Sequence, residues 1–159
     1  MQALRIERPG LASLVHLEVP EARAGEVLVR VGAAGICGSD LELLEGRRPA
    51  PYVRYPIVPG HEWAGTVAAV GTSVEGFSAG DSVVAEGFRA CGSCVRCREG
   101  QTNLCLAEYA ETGFTHQGAF AEYLENMFDL AKRRVGLDKP FPGLCPDRFR
   151  VPSSQMSLF

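Results

Sequence analysis

Cys91, Cys94, Cys97 and Cys105 stand as C-x2-C-x2-C-x7-C within fifteen residues, a dense concentration of metal-ligating side chains. A tetrahedral zinc ion takes four thiolates at about 2.3 Å, and two-residue gaps let one tight turn present successive sulfurs to one point. The wider last gap brings the chain back. A cubane iron–sulfur cluster would accept three cysteines at this spacing, but the usual bacterial run closes with a shorter gap and a Cys-Pro pair. Here Leu106 follows Cys105. Structural zinc is therefore the leading reading, ahead of a cluster and of disulfides or free thiols. Arg89, Arg96 and Arg98 are placed to offset the excess negative charge of such a loop.

A second constellation is thinner. Cys37 lies in Gly35-Ile36-Cys37-Gly38-Ser39-Asp40 and His61 in Val58-Pro59-Gly60-His61-Glu62, each beside a glycine that lets a turn approach a metal or substrate closely. A catalytic zinc takes three protein ligands and leaves one position for water or substrate, and Cys with His is a known combination. On their own the two residues fit a buried thiol and a satisfied turn histidine better than a metal site.

The elements that must position these residues are mostly short strands joined by Gly- and Pro-rich turns, the pattern of a barrel or sandwich. The clearest strand is 26–31, with Val27, Val29 and Val31 on one face, followed by 66–70, 82–85 and 119–124. Gly71-Thr72-Ser73 and Ser78-Ala79-Gly80-Asp81 read as turns that return the chain antiparallel. Residues 46–59 read as an irregular loop. Ser39 with Glu42 fits a capping box before a short helix ending at Gly46. Asn126 could cap a second helix over 127–135, although helical spacing from Phe120 to Ala131 competes with the 119–124 strand. These signals divide the chain into a zinc-binding domain at 1–125, a short helix at 126–136 and a Pro-rich extended or disordered tail at 137–159.

Composition excludes several function classes. The chain has 159 residues, 46% of them hydrophobic, enough for one core. Its formal net charge of -3 argues against general nucleic-acid affinity. Neither a membrane span nor a secretory leader can be read in it, so a cytoplasmic location is expected. In a reducing compartment six cysteines, Cys37 and Cys145 among them, are metal ligands or free thiols rather than a disulfide framework.

Taken in order, Gly35-Ile36-Cys37-Gly38-Ser39-Asp40, Pro59-Gly60-His61-Glu62-Trp63-Ala64-Gly65, Gly80-Asp81-Ser82-Val83, the four-cysteine loop and Gly118-Ala119-Phe120-Ala121-Glu122-Tyr123 closely resemble the zinc-dependent medium-chain alcohol dehydrogenases. The resemblance covers about residues 1–124. It implies a mainly β, GroES-like, partly open barrel with a structural-zinc lobe and a few short helices. It further implies one structural zinc on Cys91, Cys94, Cys97 and Cys105, and one catalytic zinc on Cys37 and His61. Glu62 would ligate or support the catalytic zinc, and Ser39 would bond the substrate hydroxyl and start a proton relay. The implied activity is oxidation of a small alcohol, polyol or sugar, with hydride passing to NAD or NADP.

Two departures qualify that expectation. Many relatives carry a histidine where this chain has Glu42, so the usual proton exit is in question. The resemblance also calls for a Rossmann domain, yet no strand followed by Gly-x-Gly-x-x-Gly and a helix can be read here. Nicotinamide chemistry is then expected only if a nucleotide domain is supplied, and a homodimer or partner chain should cover the face where that domain would sit. The alternative is a zinc-binding or interaction module without catalysis.

Overall fold

Valine-rich segments separated by glycine turns fold as the expected antiparallel strands. The computed structural model describes residues 1–84 and 87–127, the last five by backbone alone. In chain order the elements are β1 (Gln2–Arg8), β2 (Leu11–His16), β3 (Glu26–Ala34), α1 (Gly38–Glu45), β4 (Trp63–Val70), β5 (Ser82–Val84), α2 (Val95–Arg98) and β6 (Tyr123–Met127). Strands β1 and β2 form a hairpin, and the others form an antiparallel sheet in the order β5-β4-β3-β6. The Ala3–Ala121 and Ile6–Ile57 bridges tie the hairpin to the rest and curl the structure into a partly open barrel.

Two cores result. Val27, Val29, Trp63, Val67 and Ala119 fill one, between β3 and β4. Ile6, Leu43, Ile57 and Phe114 fill the other, under α1. Fully burying a side chain such as Leu43 is worth about 2 kcal/mol, so this second core clamps the helix that follows Cys37.

Three boundaries differ from the sequence reading. Strand β3 runs on to Ala34 and β4 starts at Trp63, because the register pairs Ala34 with Trp63 beyond where periodicity fades. The last strand is 123–127 rather than 119–124. Residues 118–120 instead donate their N–H groups to Val58, Gly60 and Pro59, so the backbone there is committed to the loop before β4. Asn126 and Met127 pair with Val27 and Glu26 in β6. The rest of the expected helix, the tail and Ala85 lie outside the described residues.

Helix α1 ends as expected at Gly46, whose φ of 72° suits a residue without a Cβ. Its start is a correction. Cys37, not Ser39, is the N-cap, and Asp40 rather than Glu42 reaches back to the Cys37 N–H at 2.9 Å. This two-residue offset leaves Ser39 free to face the site.

Candidate metal centres

Antiparallel pairing of Ala34 with Trp63 puts the turn after β3 and the loop before β4 at the same sheet end. The Gly35 N–H donates to the Glu62 carbonyl at 2.7 Å, locking the two segments together. Gly60 sets the direction of the next residue: its φ is +97°, and an added Cβ would lie 2.6 Å from the Phe120 ring. His61 is thereby aimed back at the start of α1, with the Phe114 ring tilted against it at 4.7 Å between centroids.

The result is a convergence of donors on one nitrogen. His61 Nε2 lies 3.4 Å from Cys37 Sγ, 3.5 Å from Ser39 Oγ and 3.6 Å from Glu62 Oε1. Ser39 Oγ and Cys37 Sγ are 2.9 Å apart. Cys37, His61 and Glu62 each offer a ligand atom, all within 4.8 Å of one another. Buried behind the ring, Asp40 Oδ1 faces His61 Nδ1 at 3.6 Å, and neither atom has a hydrogen-bond partner. Burial without a partner is costly, and the two atoms relieve each other only if Nδ1 carries the proton. That tautomer leaves the Nε2 lone pair directed at the three other donors, the geometry of a histidine prepared as a metal ligand. The sequence reading placed Asp40 only within the helix start. Its acidic character next to Ser39 was visible, but not that it faces a ring twenty-one positions later.

Four further ligand atoms gather in the lobe. The Sγ atoms of Cys91, Cys94, Cys97 and Cys105 lie within 4.8 Å of one another. A tetrahedral ZnS4 centre needs sulfurs about 3.8 Å apart, and Cys91 and Cys97 are at 3.9 Å. The one-turn α2 follows Cys94, whose sulfur accepts the Cys97 N–H. Cys91 accepts the Cys94 N–H, and Cys105 accepts those of Cys91 and Ala107. Backbone donors of this kind favour thiolates. The Cys94 N–H, then Ser93, lowers the Cys91 thiol to about 6. Burial, with neighbouring thiols adding to it, pushes Cys97 up to about 12. Four sulfurs so close cannot all ionise unless a cation sits among them, so the donor set fits zinc. Arg89 roots the lobe in the barrel through its N–H to the Ala110 carbonyl and a buried ion pair with Glu26 at 3.4 Å.

Known proteins share this framework. Residues 23–127 match the alcohol dehydrogenase GroES-like domain. D-altritol 5-dehydrogenase of Agrobacterium fabrum is 43% identical over 123 residues, which are 77% of this chain and 36% of that one. A short chain alcohol dehydrogenase from Escherichia coli CFT073, solved with the cofactor NADH, superposes with a TM-score of 0.72 at 38% identity, over 80% of this chain and 36% of that one. A thermostable alcohol dehydrogenase from Pyrobaculum aerophilum, with cobalt and zinc bound, gives 0.73 at 36% identity, over 80% of this chain and 39% of that one. The chain thus spans about a third of the length of these relatives. Among the described residues no helix is long and apolar enough to cross a membrane. The barrel, the order of its motifs and these matches place the chain in the alcohol dehydrogenase GroES-like family of zinc-dependent medium-chain dehydrogenases.

Proposed function

We propose that residues 1–125 form the catalytic domain of an alcohol, polyol or sugar dehydrogenase, with Cys37, His61 and Glu62 holding a catalytic zinc and the four-cysteine lobe a structural one. The observation that carries this reading is the meeting of Cys37 Sγ, Ser39 Oγ and Glu62 Oε1 around His61 Nε2. Three protein donors leave one position open, as a catalytic site requires. Bound there, zinc would supply Lewis acidity that lowers the pKa of an alcohol hydroxyl, while NAD or NADP held by a nucleotide-binding unit would take up hydride.

The chain's own groups do the rest. Asp40 orients His61 through Nδ1 and so turns the other ring nitrogen, Nε2, toward the site. Ser39 sits 2.9 Å from Cys37 Sγ, within reach of a hydroxyl at the same point, where its oxygen can accept the alcohol's proton as its own hydroxyl proton passes on to solvent. Glu62 is largely exposed, so its carboxylate can swing between ligating and passing that proton to water. Phe114 and the backbone of 58–60 wall the other side of His61. A reducing, cytoplasmic setting keeps the thiols available.

Cobalt substitution tests this directly. The chain should take up two ions, and imidazole should perturb the visible spectrum of one of them, with the response absent from His61→Ala. A single ion, or two that are both blind to imidazole, overturns the catalytic assignment and favours a module with zinc but no open site.

A further inference from the structure

A second polar group lies beside His61, outside the residues assigned above. Arg48 Nη2 donates to the Tyr109 hydroxyl at 2.9 Å and to Glu111 Oε2 at 3.2 Å, and Tyr109 in turn donates to Glu111 Oε2. The guanidinium also stacks 3.6 Å over the Phe114 ring, which in turn packs against the His61 imidazole. Glu111 is almost fully buried, its carboxyl raised by desolvation and pulled back down by Arg48 and His61. Both recorded bonds use Oε2. Oε1 faces Gly87, where an added Cβ would come within 3.3 Å of that oxygen and 3.5 Å of His61 Cβ. Gly87 therefore puts no side chain of its own between the carboxylate and the proposed metal ligand. Tyr52 and Phe88, both exposed, meet the Tyr109 ring edge-on at 5.0 Å and 6.2 Å.

We infer that Arg48, Tyr109 and Glu111 form a substrate-selecting wall that favours an uncharged polyhydroxyl substrate, with one hydroxyl at the Cys37–His61 site and a further hydroxyl on Glu111 and Tyr109. The inference rests on the metal-site reading above and deepens it. Charge decides the substrate class. An unpaired arginine this near the site would attract carboxylates or phosphates, but Arg48 is neutralised by a carboxylate that itself repels anions. What remains is a buried acceptor at Glu111 and a hydroxyl at Tyr109, and a polyol hydroxyl can both donate and accept. Tyr52 and Phe88 offer apolar faces to the carbon skeleton. A site built to bond a second hydroxyl discriminates against a simple alcohol, because that alcohol forgoes the added hydrogen bond to Glu111 and Tyr109.

The test uses the full chain loaded with Co2+, its visible spectrum reporting ligands. Imidazole is titrated first, then xylitol, 1-propanol and the anion xylonate. Xylitol should act at about tenfold lower concentration than 1-propanol, with xylonate weaker than xylitol. Tyr109→Phe should remove most of that margin. Glu111→Gln should raise xylonate above xylitol by freeing Arg48, a gain that misfolding could not produce. Equal responses to xylitol and 1-propanol in the unaltered chain, or ratios that neither substitution moves, overturn the selecting wall while imidazole still registers an open metal site. Loss of the imidazole response itself would instead bring down the metal-site reading, and this inference with it.

Discussion

The four-cysteine lobe and the Cys37–His61 site are both thiol-bearing candidate metal centres, yet they are assembled in different ways. The lobe draws every donor from residues 91–105, and its α-helix is a single turn. Its sulfurs are brought together by local turns and by N–H groups two or three residues away. Cys37 and His61 are separated by twenty-four positions and meet because β3 and β4 pair in a fixed register. A local site with little core depends on its ion for its fold, whereas a site at the end of a packed sheet keeps its shape without one.

The sharpest way to break that contrast is to remove one ligand from each. Cys97→Ser should cost the lobe its zinc, lowering affinity by several orders of magnitude, because structural zinc contributes about 10 kcal/mol or more to folding such a segment. Metal analysis and amide exchange across 89–105 would show the loss, while the β3–β4 amides stay protected. Equal zinc in both proteins would refute the structural assignment.

Asp40→Asn comes next in size. Losing the carboxylate behind His61 should weaken metal binding at Cys37–His61 by about 10–100-fold and leave the lobe untouched. Competition with a chelating dye, read separately for the two sites, measures it. An effect confined to stability, with unchanged affinity, would make Asp40 a helix-capping residue only.

Acidity sharpens the comparison further. With Cys97 up at about 12, that thiol holds its proton at neutral pH, so zinc must displace it on binding. Lobe affinity should therefore fall by about tenfold or more for each unit of decreasing pH. The slope should steepen below about 6, where Cys91 also takes a proton. Calorimetry in buffers of different ionisation enthalpy counts the protons released. A pH-independent affinity would mean that the sulfurs are already ionised.

The smallest effect is expected at Glu42. Among the described residues it pairs with Arg47 alone, exposed and at 3.5 Å, and Asp40 already serves the Cys37 N–H. Glu42→Ala should change unfolding free energy by no more than about 0.5 kcal/mol. A loss above about 1 kcal/mol would restore the Ser39–Glu42 capping box.

The spacing of Cys91, Cys94, Cys97 and Cys105 by itself determined that four sulfurs converge, because so few intervening residues leave the chain little else to do. The valines of β3 and β4 and the glycine turns after them likewise announced an antiparallel, mainly β fold, since strand periodicity is a local property. Gly46 announced where α1 stops. The tertiary structure alone decided that Asp40 stands behind His61, that Arg48 meets Tyr109 and Glu111, 61 and 63 positions further on, beside it, and that 118–120 bind the site loop while 123–127 take the strand. Each of those outcomes depends on register and on which chain segment arrives first at an unpaired backbone edge. Such choices are made between distant residues, and no window of neighbouring side chains carries them.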